Sequence, residues 1–168
     1  MSLMNELILA LCLSVPALGM STYKNKKACQ YMPQIVKSAK KHEIKIEILV
    51  SLIFVESSFR RKAVSNKGAC GLTQVMPKYT GKYSPIKKYS CDQLKDPYTS
   101  IRAGSKILRW WINYHDGDLK RALCSYNAGF RCGKNKKRKI SKLGMKYSRK
   151  VLEKANLIET KKNQFLNK

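Results

Sequence analysis

Residues 45–57 read KIEILVSLIFVES, the most apolar segment of the chain beyond residue 20. Its apolar side chains recur at the three- and four-residue spacing of a helix: Ile46, Leu49, Val50, Ile53 and Phe54. The apolar stripe is so wide that we expect this helix to be covered on nearly every side. The segment therefore predicts a helix inside the core.

The segments around this helix are also mostly helical. Periodicity and helix-start residues predict four further helices: 33–42 with Pro33 in its first turn, Asp96-Pro97 to about residue 115, 118–127 ended by Gly129, and 145–156. Residues 58–97 are irregular, with at most one helical turn near 72–76, and residues 157–168 form a polar tail that we expect to be frayed. No internal repeat or alternating strand pattern is present, so the chain is predicted to be one mostly α domain.

The composition restricts the function classes. The 168 residues are 43% apolar, enough for one ordinary core, and nine Tyr, four Phe and two Trp argue against a disordered basic tail. Lys and Arg number 35 against 10 Asp and Glu, a formal charge of +25, which favours an anionic partner: nucleic acid, acidic lipid or an acidic polymer. No apolar run reaches the roughly 18–20 residues of a membrane-spanning helix, so no stable membrane span is expected.

The N-terminus has the pattern of an export signal. Residues 7–18, LILALCLSVPAL, are apolar and precede a small-x-small site at Ala17-Leu18-Gly19. We therefore predict a signal peptide over residues 1–19 and an extracytoplasmic protein, periplasmic or secreted. Export signals usually begin with a positive charge, whereas the residues before this apolar stretch include Glu6 and no Lys or Arg. A buried or amphipathic N-terminal helix therefore remains the alternative.

Five cysteines follow residue 19: Cys29, Cys70, Cys91, Cys124 and Cys132. No CxxC pair occurs and neither histidine has metal-ligand spacing to them, so we expect no metal and no cofactor. Export favours disulfides, and Cys124–Cys132, which flank a short turn-like segment, are the first candidate. The odd number leaves at least one thiol free or paired with another chain, and buried thiols in a reducing compartment remain the alternative.

Glu56 differs from the other acidic residues because it ends the most apolar helix. Burial there raises the pKa of a carboxyl group and keeps it protonated near neutral pH, as a general acid requires. Arg60 lies one turn later, where an ion pair would keep Glu56 ionised, so we expect Arg60 to point away. The alternative is that Glu56 only ends the helix in water.

Short motifs follow Glu56 in a fixed order: Glu56-Ser57-Ser58-Phe59, Ala63-Val64-Ser65, Gly68-Ala69-Cys70-Gly71-Leu72-Thr73-Gln74-Val75-Met76-Pro77, Ile101-Arg102-Ala103-Gly104 and Ser125-Tyr126-Asn127-Ala128-Gly129. Over residues 33–152 the chain closely resembles the catalytic domain of soluble lytic transglycosylases, in the goose-type lysozyme superfamily. Tyr147 and Val151 fit the closing Y-x-x-x-V of that family, whereas Leu143-Gly144 and Thr73 depart from its pattern. The resemblance implies a lysozyme-like single domain with a substrate groove, over residues 20–156.

The resemblance also assigns site residues. It implies that Glu56 is the single catalytic acid, that Tyr126 lies close to it, and that the substrate contacts include Ser65, Gly71, Gln74, Met76 and Asn127. We expect Tyr126 to be the second catalytic residue, which orients Glu56 or the oxocarbenium-like centre. Gln74 offers a donor and an acceptor to sugar groups, Met76 and Tyr126 offer apolar faces, and Gly68 and Gly71 permit close backbone approach to a polymer strand. Packing or turn formation is the alternative role at each position.

Peptidoglycan strands are the substrate that the resemblance implies. No second acid lies within the motifs, and Glu47 is about two and a half helical turns from Glu56, so it should face elsewhere. The expected reaction is cleavage of the β-1,4 bond between N-acetylmuramic acid and N-acetylglucosamine, with a 1,6-anhydromuramoyl product and Glu56 as both acid and base. A hydrolytic goose-type lysozyme, a basic nucleic-acid-binding module and a catalytically idle wall-binding component are the alternatives.

Residues 134–150 contain nine Lys or Arg and no acid. This stretch predicts a contact surface for glycan strands and anionic wall polymers, with a solvated face or a nucleic-acid tract as the alternatives. With an enzyme on this fold, no nucleic acid partner is expected. The small size would suit a phage lysis or virion enzyme, or an accessory of an export apparatus.

Overall fold

The computed structural model describes residues 2–82, 84–133 and 140–167. Within these residues the chain forms seven α-helices and no β-strand: α1 Leu3–Ser14, α2 Thr22–Lys41, α3 Ile46–Ser57, α4 Cys91–Lys95, α5 Pro97–Tyr114, α6 Leu119–Ala128 and α7 Lys142–Leu166. Three short 3-10 turns accompany them at Val15–Leu18, Pro77–Tyr79 and Gly129–Cys132. The predicted mostly α domain is confirmed.

The helix α3 is the buried element that its sequence predicts. Residues 47–53 are all buried, and Leu49, Val50, Leu52 and Ile53 have no exposed surface. The helices α2 and α7 pack against it and share one apolar core with it. Because α3 is fixed on several sides, the position of its last turn is fixed as well.

The helix α2 begins earlier than expected. It starts at Thr22, so Pro33 lies inside the helix and the expectation that Pro33 opens it is wrong. The buried face already includes Ala28, Tyr31 and Met32 and continues through Ile35. Burial of this continuous face outweighs the backbone hydrogen bond that a proline removes.

The helix α7 continues to Leu166, so the expected end near Asn156 and the frayed tail are wrong. Ile158 is fully buried, and Lys162 forms an ion pair with Glu47, whose side chain is 8% exposed. These contacts hold the last turns of α7 on α3. They also confirm that Glu47 faces away from Glu56.

The N-terminal segment packs on the domain as a helix. The helix α1 contacts α2 and α7, and Leu11, Val15 and Leu18 are buried in the common core. The structure thus has the helix that was the alternative to an export signal, and removal of residues 1–19 stays a prediction. No described helix is both long and apolar enough to cross a membrane.

Two disulfides cross-link the chain. Cys124–Cys132 confirms the predicted pair, and Cys70–Cys91 is a second bridge that the spacing did not indicate. Cys12 and Cys29 are free thiols. Among the described residues, no cluster of His, Cys, Asp or Glu is arranged to hold a metal ion.

Candidate active site

Glu56 lies in the last turn of α3, where the chain changes direction sharply. Ser58 and Phe59 both have positive φ, 49° and 60°, and Phe59 is only 2% exposed. The hydroxyl of Ser57 donates a hydrogen bond of 2.8 Å to the carbonyl oxygen of Leu72. The end of α3 is therefore fastened to the loop that follows Gly71.

The environment of Glu56 favours the protonated acid. Burial raises the pKa of Glu56 from 4.5 to about 7, although a hydrogen bond from Tyr147 acts in the opposite direction. The Nε of Arg60 donates to the carbonyl oxygen of Ser57 at 3.0 Å, and Glu56 forms no ion pair within the described part of the chain. The prediction that Arg60 points away is confirmed.

Two tyrosines surround the carboxyl group. The Tyr147 hydroxyl, on α7, donates to Glu56 Oε1 at 2.6 Å. The Tyr126 hydroxyl, at the end of α6, donates to the carbonyl oxygen of Thr73 at 2.8 Å. Burial and the nearby Glu56 charge raise the pKa of both phenols, so both remain protonated donors. Sequence reasoning gave Tyr147 no role, although its fit to the Y-x-x-x-V motif was the available signal.

A groove of about 1230 Å³ lies beside this cluster. Four of the predicted site residues line it together: Gln74, Met76, Tyr126 and Asn127. Glu56 is partly buried and is not among the lining residues. Tyr126 connects the two features, because it lines the groove and lies close enough to Glu56 for the carboxylate charge to raise its pKa.

Gln74 is oriented by its own loop. Its φ is 49°, and its Nε2 donates to the carbonyl oxygens of Ala63 at 3.1 Å and Gly71 at 2.9 Å. Both amide protons are therefore used inside the protein. The Oε1 atom accepts no hydrogen bond from the described residues and is not buried, which leaves it free to accept one from a ligand.

Ser65 and Gly71 lie outside the groove lining. The Ser65 hydroxyl accepts the backbone N–H of Ala69 at 3.0 Å and closes the turn between them. Gly71 has φ +79°, and a Cβ there would lie 1.9 Å from the carbonyl oxygen of Leu94. The close approach that Gly71 permits is therefore to the protein's own backbone, which differs from the expected approach to a polymer strand.

An aromatic cluster borders the groove and was not foreseen from the sequence. Trp110, Trp111, Tyr114 and Phe130 are in mutual ring contact, with centroids 4.6–6.2 Å apart. Trp110, Trp111 and Phe130 also line the groove, and Phe130 is 62% exposed. Exposed aromatic faces of this kind can stack on the apolar faces of sugar rings.

The predicted basic contact stretch is only partly described. Residues 134–139 lie outside the described residues. In the remainder, Lys142, Lys146, Arg149 and Lys150 are exposed on α7.

The helical domain, with the partly buried Glu56 beside a groove, matches the lysozyme-like class expected from the sequence. The chain is a member of the transglycosylase SLT domain family, whose model matches residues 33–148.

Named relatives agree with this family. Membrane-bound lytic murein transglycosylase C from Yersinia pestis is 31% identical over 121 residues, covering 62% of this chain and 33% of that protein. An inactive Glu-to-Gln variant of lytic transglycosylase Slt from Pseudomonas aeruginosa superposes with a TM-score of 0.67 at 26% identity, over 78% of this chain and 24% of that one. The 70 kDa soluble lytic transglycosylase from Escherichia coli shares the fold, with a TM-score of 0.63 at 23% identity over 77% of this chain and 24% of that one. This chain therefore spans about a third of the curated relative.

Proposed function

We propose that this chain is a peptidoglycan lytic transglycosylase. It cleaves the β-1,4 bond between N-acetylmuramic acid and N-acetylglucosamine and leaves a 1,6-anhydromuramoyl end. The observation that carries the proposal is Glu56: a carboxyl group with a pKa raised to about 7, hydrogen-bonded to Tyr147 and next to a groove. Family membership and the names of the relatives support the same activity.

In the first step Glu56 acts as a general acid. Its carboxyl proton passes to the bridging glycosidic oxygen, and the bond from that oxygen to C1 of the muramic acid breaks. Positive charge then develops at C1 and the ring oxygen. A pKa near neutral pH suits this role, because the group is substantially protonated yet still a useful acid.

In the second step the Glu56 carboxylate acts as a base. It removes the proton of the substrate's own C6 hydroxyl while that oxygen bonds to C1, which closes the 1,6-anhydro ring and restores the carboxyl group. No water is consumed. The hydrogen bond from Tyr147 stabilises the carboxylate between the two steps.

Among the described residues no acid lines the groove, which favours this reaction over hydrolysis. A hydrolase of the two-carboxylate kind needs a base or a nucleophile on the opposite face of the sugar. No described residue that lines the groove is acidic, and Glu47 is paired with Lys162 elsewhere. The internal C6 hydroxyl therefore replaces the activated water.

Gln74, Met76, Tyr126 and Asn127 bind the strand in this proposal. The Oε1 atom of Gln74 accepts from an acetamido N–H or a hydroxyl group, and Met76 with the ring of Tyr126 provides apolar contact. Ser65 and Gly71 shape the loop that carries Gln74, and a direct contact of either with substrate stays a prediction.

The substrate places this activity outside the cytoplasm. Residues 20–156 would be the catalytic domain, and residues 1–19 either an export signal or the packed helix α1. A role in phage lysis remains a prediction.

The reaction is tested by comparing the amount of soluble product with the number of new reducing ends. We expect digestion of purified sacculi to release muropeptides without a matching gain of reducing ends, whereas an equal gain would show hydrolysis.

A further inference from the structure

The groove beside Glu56 has one electrostatic sign. No described residue that lines it is acidic, and five are cationic: Lys67, Lys78, Lys82, Lys88 and Arg131. All five are exposed. They come from the turn after Ser65, from the segment after Met76 and from the turn that follows α6.

Four of these charges have no anionic partner within the described residues. Lys88 Nζ and Arg131 Nε each donate to a backbone carbonyl oxygen, at 3.2 and 3.4 Å. Lys78 lies over the ring of Tyr79 at 4.9 Å, and Lys67 forms no hydrogen bond or ion pair with a described residue. Contacts with neutral groups leave each positive charge uncompensated.

Five of the ten acidic residues are paired away from the groove. Ion pairs of the described residues use five of them, each with a cation outside the groove: Glu43, Glu47, Asp92, Asp118 and Glu159. A cleft that is lined by cations and has no carboxylates raises the local concentration of an anionic ligand.

We propose that this groove selects strands whose muramic acid residues bear anionic peptide stems, with Lys67, Lys78, Lys88 and Arg131 binding the stem carboxylates. The inference rests on the proposed function. The sugar backbone is matched by amide and aromatic groups such as Gln74, Asn127 and Phe130, so it needs no cations. Stem carboxylates are attached to the same strand that occupies the groove.

Three forms of sacculi separate the sources of negative charge. The first is untreated, and the second is stripped of stems by an amidase, which leaves the lactyl carboxylate on each muramic acid. The third is treated with carbodiimide and excess methylamine, which keeps the stems but converts their carboxylates to neutral amides.

The groove variant carries Lys67→Gln, Lys78→Gln, Lys88→Gln and Arg131→Gln. Its matched control carries four changes of the same types on exposed positions of α2 and α5, outside the groove: Lys26→Gln, Lys37→Gln, Lys41→Gln and Arg102→Gln. Both variants lose four positive charges.

We expect kcat/KM of the groove variant to fall about tenfold below that of the control on untreated sacculi. The difference should collapse on stripped and on methylamidated sacculi. A difference that persists on stripped sacculi would assign the cations to the lactyl carboxylate and overturn the stem proposal. Equal kcat/KM values of the two variants on untreated sacculi would also overturn the stem proposal. The same holds if the groove variant loses affinity for a short DNA duplex but not for untreated sacculi.

If the wild-type protein digests none of the three forms of sacculi, the proposed function itself fails.

Discussion

The hydroxyl of Tyr147 donates a hydrogen bond of 2.6 Å to Oε1 of Glu56, across 91 positions of sequence. The bond joins α7 to the end of α3. Burial destabilises the charged carboxylate and raises the pKa of Glu56. The hydrogen bond stabilises that charge, so it acts on the pKa in the opposite direction. The balance of these two effects sets a pKa of about 7.

Replacing Tyr147 by Phe removes this donor. Since Tyr147 lowers the pKa of Glu56, the basic limb of the pH profile of kcat/KM should move to higher pH, and kcat should fall because the carboxylate between the two steps loses its donor. The matched control is Tyr126→Phe, whose lost hydroxyl donates to Thr73 instead. An unshifted basic limb in Tyr147→Phe would show that the hydrogen bond does not tune Glu56.

Replacing Glu56 by Gln should remove nearly all activity and leave the fold intact. Loss of general acid–base help reduces turnover by about 10²–10⁴-fold. Release of soluble muropeptides measures the loss, and circular dichroism checks the fold. The control is Glu153→Gln, an exposed acid on α7, which should retain wild-type activity. A Glu56→Gln protein with more than about a tenth of wild-type turnover would refute the role of Glu56.

The same substitution should change how stability depends on pH. The folded pKa of Glu56, about 7, exceeds the unfolded value of 4.5. The wild-type protein therefore loses stability as pH rises from about 4.5 through about 7, when a buried acid must ionise, by up to about 3 kcal/mol. In urea unfolding, the free energy of unfolding of Glu56→Gln should rise relative to that of the wild type between about pH 5 and pH 8. A constant difference over that range would contradict the raised pKa.

Gly71 and Gly68 form a natural pair for testing the loop. Both have positive φ, +79° and +82°, but a Cβ at Gly71 would lie 1.9 Å from the carbonyl oxygen of Leu94, whereas nothing lies within 4 Å at Gly68. Gly68→Ala should cost only the conformational penalty, about 1–2 kcal/mol. Gly71→Ala should cost at least twice as much, measured by urea unfolding. Equal costs would mean that the loop moves freely away from Leu94.

Local signals in the sequence predicted the elements well. The apolar spacing of 45–57 predicted the buried helix α3. Asp96 and Asp118, expected near helix starts, cap α5 and α6 through hydrogen bonds to the backbone N–H of Thr99 and Arg121, 2.8 and 2.9 Å long. These features depend on neighbouring residues alone. Pro33 was misread because the burial of α2 depends on helices that are distant in sequence.

Only part of the site was predicted, because its other contacts also join helices that are distant in sequence. The motifs identified Glu56 and Tyr126, but the contact of Tyr147 with Glu56 exists only when α7 packs on α3. Gly144, which departs from the family pattern, has a long-range cause as well. A Cβ at Gly144 would lie 2.7 Å from Cys124 Sγ and 2.9 Å from Cys132 Sγ, so the disulfide occupies the space of a side chain.

Digestion of sacculi in water enriched in oxygen-18 tests the central claim most directly. If Glu56 directs the C6 hydroxyl to C1, mass spectrometry will find muropeptides with 1,6-anhydro ends, lighter by one water and free of the label. Muropeptides with reducing ends that carry one labelled oxygen would show that water attacks C1, and the transglycosylase mechanism would be wrong.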